Sequence, residues 1–216
     1  MAGTLELTPE RARIFRITHI DNVPWILANG LHCGSSEVCD PGFVQIGNPE
    51  LITKRTTKAV PIPPGGTLHD YVPFYFTPFS PMLYNIKTGW NGITRRPMRE
   101  IVILVSTLHT LTESDVGFVF TDRHAYLAAA QFSSRPSDLA ERIDWKILQS
   151  RDFARDPNDP GKFERYQAEA LAHGHVPLSA LTGIVCHGPA ESAHLLDLVR
   201  DNGASLSVVS RPGWFF

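Results

Sequence analysis

Apolar residues in this chain fall in many short runs separated by polar stretches rich in Pro, Gly, Asp and Ser. Alternation over residues 14–18 predicts a strand. Asp21 reads as the N-cap of a short helix through Trp25, Ile26 and Leu27, which Gly30 ends. Residues 34–66 are polar and punctuated by Pro and Gly, with 51–58 the one helical piece; a connection this long is usually functional or disordered. Residues 72–76 and 82–86 predict two strands around a Pro/Ser turn, and 101–105 and 118–120 two more by composition. Asp122 is the expected cap of a helix over 125–130. The stretch 132–164 is again polar and Pro-rich. Strands are then expected at 165–171, 184–187 and 206–209, with an amphipathic helix over 191–200 that uses Leu195, Leu196 and Val199. Strands and helices that do not alternate as βαβ units indicate an α+β domain.

Composition narrows the possibilities. A chain of 216 residues, 43% hydrophobic, can bury one substantial core, so a single domain over 1–216 is expected. With a formal net charge of −2 there is no global positive field, and nucleic-acid binding would need a local patch. Lys87, Arg95, Arg96 and Arg99 form the best such cluster, which is equally the pattern of a solvated face. Cys33, Cys39 and Cys186 are odd in number and unpaired in spacing, which argues against a disulfide framework or structural zinc and fits a reducing cytoplasm. Residues 1–7 lack the basic and apolar parts of a signal peptide, and no apolar run approaches the ~20 residues of a membrane span. A soluble cytoplasmic protein without a membrane partner is expected.

The motif search excludes several chemistries. No G-x-G-x-x-G or G-x-x-x-x-G-K-[ST] is present, so neither a Rossmann dinucleotide site nor a P-loop is available. There is no G-x-S-x-G elbow. His173-Gly174-His175 has the spacing of a metal pair but lacks acidic or thiol ligands beside it, and no metal is expected. Glu169 stands out instead. It sits among Ala168, Ala170 and Leu171, where a carboxylate is costly unless paired or used. From these residues alone it reads equally as a buried ion-pair partner or as a functional charge. Arg55, beside Lys54 and Lys58, reads alone as a solvated residue on a basic helix.

Several longer segments, in order, resemble the DarT family of DNA ADP-ribosyltransferase toxins over essentially the whole chain, with the thymidine-modifying branch the nearest likeness. They are Arg16-Ile17-Thr18-His19-Ile20-Asp21-Asn22, the pair Lys54-Arg55, and Leu68-His69-Asp70-Tyr71-Val72-Pro73-Phe74-Tyr75-Phe76 leading to Ser80-Pro81-Met82-Leu83-Tyr84. Phe120-Thr121-Asp122-Arg123-His124 and Arg165-Tyr166-Gln167-Ala168-Glu169 with His175-Val176-Pro177 complete the set. The resemblance implies an ADP-ribosyltransferase fold related to the catalytic domains of poly-ADP-ribose polymerases, with NAD consumed as co-substrate.

It also implies roles. Displacing nicotinamide leaves positive charge on the ribose, which a carboxylate stabilises electrostatically; the resemblance gives that role to Glu169. It makes Arg55 the NAD-contacting and catalytic arginine facing the acceptor base. A guanidinium there can pair with the pyrophosphate as a planar fork and can either take the acceptor proton or stabilise a deprotonated thymine N3. Because arginine is a poor base at its ordinary pKa, above about 12, proton abstraction would need a perturbed environment. Arg16, Ile17, Thr18 and His19 are expected to line the nicotinamide and ribose pocket, with Trp25 and Cys33 as further NAD contacts. Residues 38–58 are expected to form an NAD-binding element and 124–169 a substrate-recognition loop. His124, Met82, Tyr84 and Lys54 are expected on the DNA side. The implied function is a toxin that transfers ADP-ribose to thymine in single-stranded DNA, countered by a macrodomain antitoxin. The alternative is an enzyme of the same fold acting on guanine, RNA or a protein.

Overall fold

A computed structural model describes residues 5–216, so residues 1–4 of the N-terminal stretch read above lie outside the described residues. The strands are β1 (Arg13–His19), β2 (Leu31–His32), β3 (Tyr71–Tyr75), β4 (Ile101–Thr107), β5 (Phe118–Thr121), β6 (Phe132–Ser133), β7 (Glu169–His173), β8 (His175–Val176), β9 (Gly183–Cys186) and β10 (Ser207–Ser210). The helices are α1 (Val23–Asn29), α2 (Pro49–Arg55), α3 (Pro81–Thr88), α4 (Leu108–Glu113), α5 (Leu139–Arg142), α6 (Trp145–Ser150), α7 (Lys162–Arg165) and α8 (Pro189–Asp201). Eight strands form one sheet in the order β10-β9-β4-β1-β3-β7-β5-β6, and β2 pairs with β8 in a small second sheet. Among the described residues of the large sheet, only β9 and β10 run parallel. This is the expected mixed architecture, strands outnumbering any βαβ repeat.

Sheet order decides where the site lies. β1, β3 and β7, far apart in sequence, are neighbours, and their registers place Phe15 opposite Tyr75 and Tyr75 opposite Glu169. The core that fixes this registry is large: Ile14, Phe15, Phe74, Phe76, Ile103, Phe120 and Ala170 are each almost fully buried. Burying one such large apolar side chain stabilises the fold by about 1.5–3 kcal/mol, and a slip of one residue would turn each to the wrong face.

Five expectations are corrected. Asp21 does not cap α1: it lies within a 3-10 turn (Ile20–Asn22) that His19 caps, and Asn22 occupies the N-cap position of α1. Residues 82–86 are helical, because Ser80 caps α3 by accepting from the Leu83 N–H at 3.2 Å and Pro81 opens the first turn. Residues 125–130 form turns and no helix. Asp122 does not cap them; its Oδ1 accepts from the Gln131 N–H at 2.8 Å and closes the loop. The strand expected over 165–171 begins only at Glu169, since Lys162–Arg165 is a helical turn. Leu196, assigned to the apolar face of α8, is half exposed, while Leu195 and Val199 are buried. The segment 132–164 also holds α5 and α6, whose short apolar spacing is hidden among polar residues.

Candidate active site

Glu169 is the first residue of β7, and only 3% of it is exposed. Its carboxylate is held from three sides. Arg55 donates from Nη1 to Oε2 at 2.9 Å, the Ala125 N–H donates to Oε1 at 2.9 Å, and His124 Nδ1 lies 3.2 Å from Oε1. The Glu169 N–H donates to Thr121 Oγ1 at 3.3 Å, which ties the start of β7 to the end of β5. Burial, the strongest single influence, pushes this carboxyl up. Arg55, then His124 and the Ala125 N–H, outweigh it and hold the group below the ordinary carboxylate range. Glu169 is therefore ionised at neutral pH.

Arg55 ends α2, a helix built from strong local signals. Asn48 accepts from the N–H groups of Glu50 and Leu51, Pro49 occupies the first turn, and Lys54 and Arg55 sit at the C-terminal end where the helix dipole favours cations. The preceding strand of loop is pinned to α1 by Asn22, whose side chain donates to Val44 O at 3.0 Å and accepts from Val44 N at 2.8 Å. The pinning makes residues 38–58 a wall of the site.

Two adjoining cavities, of about 160 and 340 Å³, meet at Arg16, Phe43, Gln45, Ile52, Arg55 and Pro73. The smaller one contains Glu169, His124, Met82, Tyr75, Ile17 and Thr18. The larger extends past Trp25, Cys33 and His69. Arg16 donates from Nη1 to Pro73 O at 2.9 Å, and its Nε, like Arg55 Nη2, is buried without a partner among the described residues. Burial, then the nearby Arg55, lowers the Arg16 pKa to about 10. Two guanidinium groups facing one cavity, each with an unused buried donor, form a receptor for an anion. Burial and then Glu169 push the Tyr75 hydroxyl up, so it stays protonated as a donor.

Of the residues expected at the site, Arg16, Ile17, Thr18, Arg55, Met82, His124 and Glu169 converge on the smaller cavity, and Trp25 and Cys33 on the larger. Three do not line either. His19 is buried as a cap, its Nδ1 accepting from the Asp21 N–H at 3.2 Å, with Glu100 3.5 Å from Nε2. Lys54 is exposed and paired with Glu50 at 2.5 Å. Tyr84 projects from the outer face of α3 and packs on Phe153 and Phe216. Phe43 and Gln45 fall within the expected element 38–58 without having been singled out, and the Ala125 N–H was not expected. Tyr75 was legible as the alternate partner of Pro73 on β3; a backbone donor carries no sequence signal.

A family described as "ssDNA thymidine ADP-ribosyltransferase, DarT" matches residues 15–216. The chain belongs to the DarT family. A DNA ADP-ribosyl transferase from Escherichia coli O127:H6 (strain E2348/69 / EPEC) is 55% identical over 210 residues, 97% of this chain and 96% of that protein. Among solved structures, DarT of Thermus sp. 2.9 in complex with ADP-ribosylated ssDNA matches with a TM-score of 0.88 at 32% identity, covering 99% of this chain and 100% of that one. The same DarT in complex with NAD+ gives a TM-score of 0.80 at 31% identity, over 96% and 99% of the two chains. Among the described residues no helix is long and apolar enough to cross a membrane, and no three metal-ligating side chains cluster.

Proposed function

We infer that Glu169 and Arg55 are the catalytic pair of a transferase that moves ADP-ribose from NAD to thymine in single-stranded DNA and releases nicotinamide. The observation that carries this reading is an ionised, nearly buried carboxylate in a cavity it shares with two incompletely satisfied guanidinium groups. The bond from the ribose C1′ to nicotinamide breaks and its electron pair leaves with nicotinamide. Glu169 faces the positive charge that builds on the ribose, in surroundings of low dielectric where a charge acts strongly. Thymine N3 supplies the electron pair of the new bond and gives up its proton to solvent. Arg55, held by Glu169 at 2.9 Å, is placed to stabilise the anionic character that N3 gains as its proton leaves.

The donors left unused on Arg16 and Arg55 fit the pyrophosphate of NAD, with Ile17 and Thr18 in the smaller cavity, and Trp25 and Cys33 along the larger. His124 and Met82 flank the mouth where the base enters. His19 contributes through the turn it caps. Residues 38–58 serve as the NAD-binding element, and 124–169 as the recognition loop, within one domain. Family membership supports a cytoplasmic toxin paired with a macrodomain antitoxin that removes the modification. The test is incubation with NAD and thymine-containing oligonucleotides, read by intact mass and by free nicotinamide in equal amounts. Nicotinamide release without an oligonucleotide product would reduce the protein to a NAD hydrolase.

A further inference from the structure

The helical turn α7 stands between the long segment 144–161 and Glu169, and one of its side chains fastens that segment down. Arg165 donates from Nη1 and Nη2 to Asp159 Oδ1 and Oδ2 at 3.1 and 2.6 Å, and from Nε to Asp144 Oδ2 at 3.2 Å. Asp144 in turn accepts from the Ile147 N–H at 3.2 Å through Oδ1 and so caps α6. One planar guanidinium therefore joins the start of α6, the turn at Asp159 and the end of α7, a geometry that lysine cannot reproduce. Its fit is close: a side chain at Gly161 would come within 2.9 Å of Nη1. Asp159 holds Arg165 above its ordinary pKa, and Arg165 holds Asp159 below its own. An isolated exposed ion pair contributes little, but a bidentate fork shared with a second carboxylate is the exception.

The other side of α7 reaches the active site. Glu164 O accepts from the His124 N–H at 3.2 Å, and Arg123 Nη1 lies 3.7 Å from the Glu164 carboxylate. His124 lines the smaller cavity; Arg165 lines neither cavity and acts only through its neighbours. Glu169 is set by separate means: its register with Tyr75, its N–H on Thr121 Oγ1 and its pairing with Arg55. A shift of α7 would thus move His124 and leave the carboxylate in place. We propose that Arg165 is a positioning residue for the acceptor: by fixing α7 it fixes His124 where the base enters, and it does not act on NAD. The proposal rests on the transfer to DNA inferred above.

The test uses three variants of the whole protein. Arg165→Gln removes the charge and the fork, Arg165→Lys removes the fork alone, and Asp159→Asn weakens the same pairing from its more exposed side. Initial rates at varied oligonucleotide and at varied NAD separate the two substrates, and calorimetry measures NAD binding without oligonucleotide. Arg165→Gln should lower kcat/KM for a thymine-containing oligonucleotide by about 10-fold or more, within the roughly 10²-fold that a misplacement of about 1 Å costs. NAD binding and KM for NAD should stay at the wild-type values. Arg165→Lys should fall between wild type and Arg165→Gln, and Asp159→Asn should shift in the same direction. Parallel losses toward both substrates, or weaker NAD binding, would make the network a matter of fold stability and overturn the proposal. Wild-type kinetics in both Arg165 variants would overturn it as well. If Arg165→Gln does not fold, Asp159→Asn decides by the same two readouts. A wild-type protein that binds NAD but leaves the oligonucleotide unmodified overturns the acceptor itself, a failure distinct from any difference between variants.

Discussion

Glu169 is a charge kept ionised by its neighbours in a place where burial opposes ionisation. Glu169→Gln keeps the size and can still accept from Arg55 and the Ala125 N–H, but loses the charge that faces the developing cation. Transfer should fall by at least ~10²-fold with the fold retained, the scale for removing one transition-state stabiliser; turnover of both proteins over one time course checks it. The same carboxylate contributes to stability. Its folded pKa is depressed, so the contribution is complete above the unfolded value near about 4.3 and is lost as pH falls through the folded value. Urea unfolding of wild type and Glu169→Gln should therefore differ at neutral pH and converge in acid. Arg55→Lys keeps the charge but loses the planar fork, and it should be as inactive as Arg55→Ala. Full activity of the lysine variant would make Arg55 a charge alone.

The elements that carry these residues differ in how far the chain announces them. α2 has a cap, a proline at its start and cations at its end, all local signals. Asn48→Ala removes the cap and should cost about 1 kcal/mol of local stability. Because α2 delivers Arg55 and walls both cavities, the variant should raise KM for NAD more than it lowers kcat if these cavities hold NAD as proposed, as initial rates at varied NAD would show. Asn22→Ala, which frees Val44, should act in the same direction. Elsewhere local signals conflicted. The apolar run Met82-Leu83-Tyr84 reads as a strand until Ser80 and Pro81 are weighed as a helix start. Asp122 has the chemistry of a cap and spends it on Gln131 nine residues on, a choice that only the loop geometry decides.

For the whole molecule, the longer strands and the oddity of one carboxylate in an apolar run were legible, but the two-residue strands β2, β6 and β8 and the order of strands were not. Periodicity shows that residues 14–18 and 72–76 are strands; it does not say that β7 joins β3 and brings Glu169 opposite Tyr75. The meeting of Arg55 with Glu169 depends on that long-range pairing. So does the Ala125 N–H that completes the carboxylate's shell, since backbone donors look alike in any sequence. Resemblance to a family named the pair; the fold supplies the reason they touch. The outward projection of Tyr84 and the role of His19 as a cap were likewise settled by packing, because a side chain's face depends on what covers it.

The central claim is that this site transfers ADP-ribose to thymine N3 with the base exposed, and the acceptor tests it most directly. N3 is engaged in a Watson–Crick pair, and an enzyme cannot reach it inside a duplex. The decisive measurement is the intact mass of a thymine-containing oligonucleotide after incubation with NAD. It is made for the single strand, for the same strand annealed to its complement, and for a single strand whose thymine is methylated at N3. One added ADP-ribose on the first, with the other two unchanged, is the expected result. Efficient labelling of the duplex or of the N3-methylated strand would contradict it.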